Sequence, residues 1–372
     1  MKIFVFGTRG FPGIQGGVEK HCENLYPRFP EGFEITVFRR RPYVTKTARA
    51  AAYPRVRFID LPSGKVKGVE ALVHSFLCSL VCAVRRPGLV QVHNIGPGLF
   101  VPLLRATGLK VVLTYHSANY EHKKWGAGAR LLLRLSERVA LTFSNRIIFV
   151  NQGLLERQTA RVRAKSVCIP NGVAGFEYTA EQRAVEALGL VAGRYVLAVG
   201  RMTPEKGFDV LVDAYIRSGL ADEGWQLALA GGADHGDAYF RSLQAQGRGK
   251  VVFAGVCDAA TLRQLYSHAR LFVLSSYQEG FPLAMLEAMQ AGCDLLLSDL
   301  PATRWAGLPE TCYFKPGDAG GLARSLSRKL SVPARRYRYS LEGYTWEDVQ
   351  RKTQRVLEEV CCAQKNGSSQ SK

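Results

Sequence analysis

The chain writes the same alternation twice. Apolar runs of five to seven residues, KIFVF (2–6), ITVFRR (35–40), LVQVH (89–93), KVVLTYH (110–116), RIIFV (146–150) and SVCIP (166–170), are separated by helix-like segments over 18–29, 69–84 and 129–143. Such runs are too short for buried helices and too uniformly apolar for strands with one wet face, so they read as strands buried on both sides of a parallel sheet. The pattern restarts at RYVLAVG (194–200) and continues through WQLALAG, KVVFAG, RLFVLSS and CDLLLS, with helices over 207–217 and 260–269. Strand and helix alternating in this way predict a doubly wound α/β sheet in each half.

Two Rossmann-like domains follow, spanning residues 1–170 and 171–344 and joined near 171–194. A length of 372 residues suits two such cores better than one. The segment TWEDVQRKTQRVLEEVCC (345–362) opens with a Thr cap and acidic first-turn residues; it reads as a last helix packing back on the first domain. The polar end, 363–372, reads as a flexible tail.

Nine cysteines without a CxxC pair argue against a disulfide framework and a structural zinc site, and point to a reducing, cytoplasmic setting. The N-terminus reads as a first strand and not as a secretory signal. The longest oily run, VEALVHSFLCSLVCAV (69–84), holds Glu70 and His74 and falls short of the ~20 residues of a spanning helix. Charge is lopsided: residues 1–170 carry 27 Lys and Arg against 9 Asp and Glu, and the remainder 23 against 22. A basic half fits a phosphorylated substrate, an anionic bilayer or nucleic acid, and no nucleic-acid-binding signature accompanies it.

Three stretches carry chemistry. VFGTRGFPGIQGGVEKH places Gly7, Gly10, Gly13, Gly16 and Gly17 between a strand and a helix, where missing side chains let phosphates approach the backbone and the helix N-terminus. Read as GxxGxxG, the same stretch is a dinucleotide fingerprint with Arg39 and Arg40 available to an NADP phosphate, although Pro12 and the added Ile-Gln-Gly-Gly lengthen the turn. VGRMTPEKG puts Arg201 and Lys206 at the start of another helix, where two cations beside a positive dipole end call for an anion; a diphosphate suits them. Pairing with Glu205, Asp209 or Glu279 is the alternative. In EGFPLAMLE, Pro282 and Gly292 bracket a helix over about 282–291, so Glu287 lies ~7.5 Å along the axis beyond Glu279. A carboxylate on so apolar a helix would be satisfied by a cis-diol such as a ribose, or by backbone or a lysine. Glu279, beside the amides of Gly280, Phe281 and Leu283, would hold sugar hydroxyls or orient Lys206.

The order of these elements resembles the retaining glycosyltransferases of family four, with the GT-B fold of two Rossmann-like domains facing a central cleft. The residues that carry the resemblance are Glu279 and Glu287 (E-x7-E), GRMTPEKG, the IPNG stretch at 169–172 and QGGVEKH. GTRGFPGIQGGVEKHCENLYPRF, HNIGPG and TYHSANYEHKKWG further resemble bacterial surface-polysaccharide enzymes that move rhamnose, galactose or related sugars. The resemblance implies that Gly16 and Gly17 face the donor diphosphate with Arg201 and Lys206. Glu287 would hold the ribose, Glu279 the transferred sugar, and His116 would sit by that sugar and the reacting centre. His93, Asn94 and Glu19 fall on the acceptor side. Ala174 stands where the family often has Asp, which argues against a linker role for that position.

No enzyme nucleophile is evident, so the resemblance implies front-face retention, with no metal and no cofactor beyond the nucleotide diphosphate-sugar. Asp234 and Asp237, in GGADHGD, would border the base pocket rather than clamp a metal. The family does not fix the acceptor; the lopsided charge points to a glycan on a polyprenyl diphosphate. A face bearing Arg39 to Arg41, Lys46, Arg49, Arg55, Arg57, Lys65, Lys67, Arg85 and Arg86, with the 69–84 segment beside it, would dock peripherally on the anionic inner leaflet. A buried core helix under a solvated charged surface is the other reading of that segment. A nucleotide-sugar epimerase of the same fold and an NADP-dependent reductase are the rival functions; nucleic acid is not an expected partner.

Overall fold

A computed structural model describes residues 1–44, 50–64, 69–118, 120, 126–233 and 238–362. Lys46, Arg49, Lys65, Lys67, Asp234, Asp237 and the 363–372 end lie outside the described residues. The chain divides into two compact units, Met1–Gly172 with Gly343–Lys372, and Val173–Glu342.

The first unit is a seven-stranded parallel sheet: β1 (Lys2–Phe6), β2 (Glu34–Arg40), β3 (Val56–Leu61), β4 (Leu89–His93), β5 (Val111–Tyr115), β6 (Arg146–Phe149) and β7 (Ser166–Cys168). Their spatial order is β3-β2-β1-β4-β5-β6-β7. The order reverses between β1 and β4, and ligands of open α/β sheets bind where the strands end beside such a switch. All the anticipated strands form. The sequence reading lacks β3, an edge strand whose VRFIDL interleaves Arg57 and Asp60 with apolar residues and is buried only in part.

Helices α1 (Gly17–Leu25), α2 (Val69–Arg85), α3 (Val101–Ala106) and α4 (Ala127–Phe143) follow in chain order. Cys78 and Cys82 of α2, Val101 and Leu104 of α3, and Ala140 and Leu141 of α4 share a core with Phe4, Phe6, Val90, Val92, Leu113 and Phe149. The final helix, Trp346–Cys362, packs against α1 and β6 in the same unit. Arg28–Glu347 (3.0 Å) and Arg146–Glu359 (2.9 Å) pair across it. A Cβ on Gly172 would lie 2.7 Å from the Trp346 nitrogen, so glycine permits this docking.

The 69–84 segment is a core helix on one side only. His74, Ser75, Cys78, Ser79 and Cys82 of α2 are buried, whereas Val69, Val73, Phe76, Leu80 and Val84, spaced at helical intervals, form an exposed apolar stripe on the other side. On α4, Leu131, Leu132, Leu135 and Phe143 are likewise exposed. No helix among the described residues is long and apolar enough to cross a membrane. Of the basic residues assigned to a docking face, Arg39 and Arg40 are instead buried: Arg39 forks Asp60 at 2.6 and 2.9 Å, and Arg40 faces Glu70 at 3.4 Å. Arg41, Arg55, Arg57, Arg85 and Arg86 are exposed.

The second unit is a six-stranded parallel sheet of β8 (Tyr195–Val199), β9 (Gln226–Ala230), β10 (Val251–Gly255), β11 (Leu271–Leu274), β12 (Leu295–Ser298) and β13 (Tyr313–Phe314), ordered β10-β9-β8-β11-β12-β13. Its switch lies between β8 and β11. Helices Phe208–Arg217 and Ala319–Leu330 cover one face of β8, β9, β11 and β12 through Leu211, Tyr215, Leu322 and Leu326. The anticipated helix at 282–291 spans Leu283–Gln290, with Pro282 as its N-cap at ψ 109° and Gly292 in the left-handed turn after it at φ 76°. Beneath it, Asp294 is buried between Lys329 (2.6 Å) and Arg270 (3.5 Å).

Candidate functional site

In the first unit the glycine-rich turn leaves the carboxyl end of β1 and enters α1. It is closed from within. The Glu19 carboxylate accepts the Arg9 amide (3.0 Å) and Nε (3.3 Å), while the Arg9 guanidinium donates to the Gln15 carbonyl. Gly16 has φ 152°, and a Cβ there would meet the Glu19 carboxylate at 1.8 Å, so only glycine lets the carboxylate reach under the turn. Gly17, the first residue of α1, faces open space. Glu19 therefore orders the turn rather than presenting an open carboxylate. Asn94, at φ 69° after β4, donates from Nδ2 to the Gly7 carbonyl at 3.1 Å and ties the ends of β4 and β1 together.

At the same ends of β4 and β5 lie His93 and His116, joined by His21 from α1; all three are buried. His93 Nδ1 is 2.8 Å from His116 Nε2, and His93 Nε2 is 2.5 Å from the Tyr26 hydroxyl. His21 Nδ1 is 2.8 Å from the Asn171 oxygen, and its ring meets that of His116 edge-on at 4.9 Å. Burial lowers the His21 pKa to about 4 and holds His93 and His116 well below the usual imidazole value, with their mutual repulsion adding to the effect. The trio is neutral at pH 7. Its ligand nitrogens lie within 4.8 Å of one another, a spacing at which three imidazoles could hold a metal ion.

In the second unit Arg201 follows β8, and its guanidinium has no hydrogen-bond or ion-pair partner among the described residues. Lys206, in a short turn before the Phe208–Arg217 helix, pairs with Glu279 at 2.7 Å. This is one of the two roles expected of Glu279. The same Glu279 oxygen accepts from Ser276 at 2.5 Å. Gly207, at φ 62°, has only 2.2 Å between a hypothetical Cβ and the Ser275 carbonyl, and this close approach brings the lysine turn against the segment after β11. Glu287 is half-buried and accepts from the Tyr266 hydroxyl at 2.8 Å; burial, with that carboxylate beside it, raises the Tyr266 pKa well above its ordinary value. Gly280 lies in the loop before the helix, Leu283 begins the helix, and Phe281 is buried with its ring stacked on Trp305 at 5.1 Å.

Within the second unit, then, the structure gathers Lys206 and Glu279, and within the first His93 and His116. Sequence reasoning assigned no role to Tyr26, His21, Asn171, Ser276 or Tyr266. His21, Tyr26 and Asn171 stand inside the quoted QGGVEKH, CENLYPRF and IPNG stretches, which was the available signal; Ser276 and Tyr266 offered none.

Residues 15–174 match the model of Glycosyltransferase Family 4, and residues 193–331 that of Glycosyl transferases group 1. An uncharacterised glycosyltransferase of Methanocaldococcus jannaschii is 30% identical over 179 residues, 44% of each chain. The chain thus spans less than half of that relative's length. The GDP-mannose:cellobiosyl-diphosphopolyprenol alpha-mannosyltransferase of Xanthomonas oryzae pv. oryzae is 28% identical over 235 residues, 60% of this chain and 59% of the relative. Sucrose-phosphate synthase from Thermosynechococcus elongatus superposes with a TM-score of 0.74 at 22% identity, covering 99% of this chain and 98% of its own. HepE of Anabaena, in complex with UDP and glucose, does so with 0.70 at 16%, covering 100% and 99%. At these identities the structural likeness speaks for the fold alone. Two family matches that together span most of the chain, on two doubly wound sheets of this kind, make the protein a family four glycosyltransferase with the GT-B fold.

Proposed function

We propose that the chain is a retaining hexosyltransferase that moves a hexose or deoxyhexose from a nucleoside-diphosphate sugar to a lipid-linked glycan in bacterial surface-polysaccharide assembly. The observation that carries this reading is the polar set of the second unit. An unpartnered Arg201 at the end of a central strand accompanies the Lys206–Glu279 pair and the Glu287–Tyr266 bond. HepE was solved with UDP and glucose, and the Xanthomonas relative is named for a GDP-sugar donor and a diphosphopolyprenol acceptor. Both names fit a donor and an acceptor that carry diphosphates.

In this reading Arg201 forks the diphosphate and Lys206 adds a point charge, and the first unit offers a donor phosphate the open backbone at Gly17, with Gly16 admitting the Glu19 carboxylate that shapes the turn. Glu287 takes the ribose diol. Glu279 orients Lys206 and faces the sugar, flanked by the backbone of Gly280, Phe281 and Leu283. His116 meets the sugar near the reacting carbon, and His93 and Asn94 support the acceptor side, with Glu19 acting only through the turn that it orders. A diphosphate oxygen takes the proton of the acceptor hydroxyl as the anomeric C–O bond breaks, and the acceptor oxygen bonds the same face of that carbon. The negative charge grows on the leaving diphosphate, where Arg201 and Lys206 stabilise it. The scheme calls for no metal and no further cofactor.

The enzyme works on the inner face of the cell membrane, a placement supported by the exposed stripe of α2 next to Arg85 and Arg86 and by exposed leucines among Arg130, Arg134 and Arg138 on α4. A thermal-shift panel of nucleotide sugars, followed by transfer to polyprenyl-diphosphate glycans with the best stabiliser, tests the chemistry. A donor at 100 times its Kd stabilises by about 2.7 kcal/mol, so a panel without any shift refutes the reading. Product anomers read by NMR test retention. Equal co-sedimentation with neutral and anionic liposomes at low salt would refute the docking.

A further inference from the structure

The bonds around His93 have a direction. The Tyr26 hydroxyl is buried, and its one polar partner among the described residues is His93 Nε2 at 2.5 Å; the Cys22 sulfur, 3.7 Å from that nitrogen, is a weak second neighbour of His93. If Tyr26 accepted from Nε2–H, its own proton would be left without an acceptor inside the fold, which costs about 1–3 kcal/mol. Tyr26 therefore donates, and His93 Nε2 is the acceptor. A neutral imidazole carries one proton, so it sits on His93 Nδ1 and is donated to His116 Nε2 at 2.8 Å. By the same rule the proton of His116 sits on Nδ1. That nitrogen has no partner among the described residues, and the residue, which directly follows β5, is 6% exposed. His21 obeys the same logic. The Asn171 oxygen can only accept, so His21 holds its proton on Nδ1 and points an unpaired Nε2 into the cluster.

We propose that Tyr26 and His93 are positioning residues that fix His116 as a neutral Nδ1–H donor, so that His116 meets a substrate oxygen as a hydrogen-bond donor and not as a proton acceptor. This rests on the placement of His116 beside the transferred sugar given above. The competing use of the trio, a metal site, fits the geometry less well. Three nitrogens bound tetrahedrally at 2.0–2.1 Å stand about 3.3 Å apart. The 2.8 Å between His93 and His116 is instead a hydrogen-bond distance, and a metal would displace the proton it contains.

The test begins with the intact protein selectively labelled with 15N-histidine, seven residues in all, whose tautomers are read from long-range proton–nitrogen correlations. The expected result is Nδ1–H at His21, His93 and His116. A proton on Nε2 of His116 overturns the proposal whether or not the protein transfers sugar, so its failure is separable from failure of the functional reading. In Tyr26→Phe the lock is released: His116 should populate the Nε2–H form, and kcat should fall about tenfold while the donor KM stays within about twofold. In His116→Asn, whose amide can donate from near the Nδ1 position, adding Tyr26→Phe should change nothing further. Unchanged kcat in Tyr26→Phe, or an additive loss in the double variant, overturns the positioning role. Should Tyr26→Phe fail to fold, the wild-type tautomers decide. Titration with Co2+ is the last arm: visible ligand-field bands abolished by His21→Ala would make the trio a metal site and end the proposal.

Discussion

Lowering the pH from 7 to 5 should remove most of the stability of the first unit. His21 and His74 have pKa values pushed down to about 4, His21 by burial and His74 by burial beside Arg40, and His93 and His116 lie well below the ordinary 6.5. Because all four folded values are depressed, the unfolded chain binds more protons than the folded one from about pH 6.5 downward. Stability is therefore full above that value and is lost as the pH falls toward the folded pKa values. An imidazole that stays neutral in the fold at pH 5 costs ~1.8 kcal/mol relative to pH 7, so four cost about 7 kcal/mol. That is on the scale of a whole domain's stability, roughly 5–15 kcal/mol. Urea unfolding followed by circular dichroism at a series of pH values reads the total, and hydrogen exchange resolved by peptide assigns it to residues 1–172. The window lies above the usual carboxylate range, which keeps the acids out of the signal. His21→Gln should lose about one quarter of the pH dependence. A change below ~2 kcal/mol, or an undiminished slope in that variant, would show that the imidazoles are charged or wet and would remove the basis for the neutral trio.

Arg201→Ala should leave Tm unchanged, since that side chain has no partner to lose, and should lower kcat/KM by ~10²–10³, the effect of one preorganised contact to a growing charge. Lys206→Met strands the Glu279 carboxylate, whose side chain is 9% exposed, so both Tm and rate should fall; adding Glu279→Gln should recover Tm and not rate. Equal Tm shifts in the two single variants would contradict the different pairing of these cations. Glu287→Gln should weaken nucleoside diphosphate binding by about 1.5–3 kcal/mol in calorimetry, the range of a hydrogen bond to a charged group, and an unaltered Kd would take the ribose away from it. Asp294→Asn leaves Arg270 and Lys329 buried without their counter-charge, and should destabilise the second unit by ~3–5 kcal/mol in urea without altering nucleotide affinity per folded molecule.

Most strands were legible because a strand buried on both faces leaves a one-dimensional mark. LVQVH is β4 residue for residue, and KIFVF is β1. The mark fails at edges. In β3, Arg57 and Asp60 break the apolar run, and Asp60 reaches across to Arg39 of β2; β13 is two residues long and carries no period at all. Helix ends shifted by one to four residues for local reasons: Pro282 has the extended ψ of a cap, and the 18–29 helix stops at Leu25 because Tyr26–Arg28 tightens into a 3-10 turn. That tightening matters, since it is Tyr26, just past the end of α1, whose hydroxyl reaches His93.

The candidate site divides along the same line. Roles that depend on charge type and spacing, such as those proposed for Arg201, Lys206, Glu279 and Glu287, can be put forward from a string of letters, because a helix start and an anion requirement are both local. Roles that depend on what lies behind a residue cannot. Lys206 and Arg201 look alike in sequence, yet one is paired and one is not, and the difference is a glutamate 73 residues away. Basic residues 39 and 40 look like surface charge, yet the sheet buries them against Asp60 and Glu70. His21 and His93 come from α1 and β4 and His116 directly follows β5, and no spacing links them; only the sheet order β1-β4-β5 sets the ends of those strands side by side. Their neutrality is a property of that burial, and so is the direction of the bonds from Tyr26. A tautomer is thus decided by a phenol 90 residues upstream of the ring that presents it, which is why the chemistry of His116 is written in the fold and not in TYHSAN.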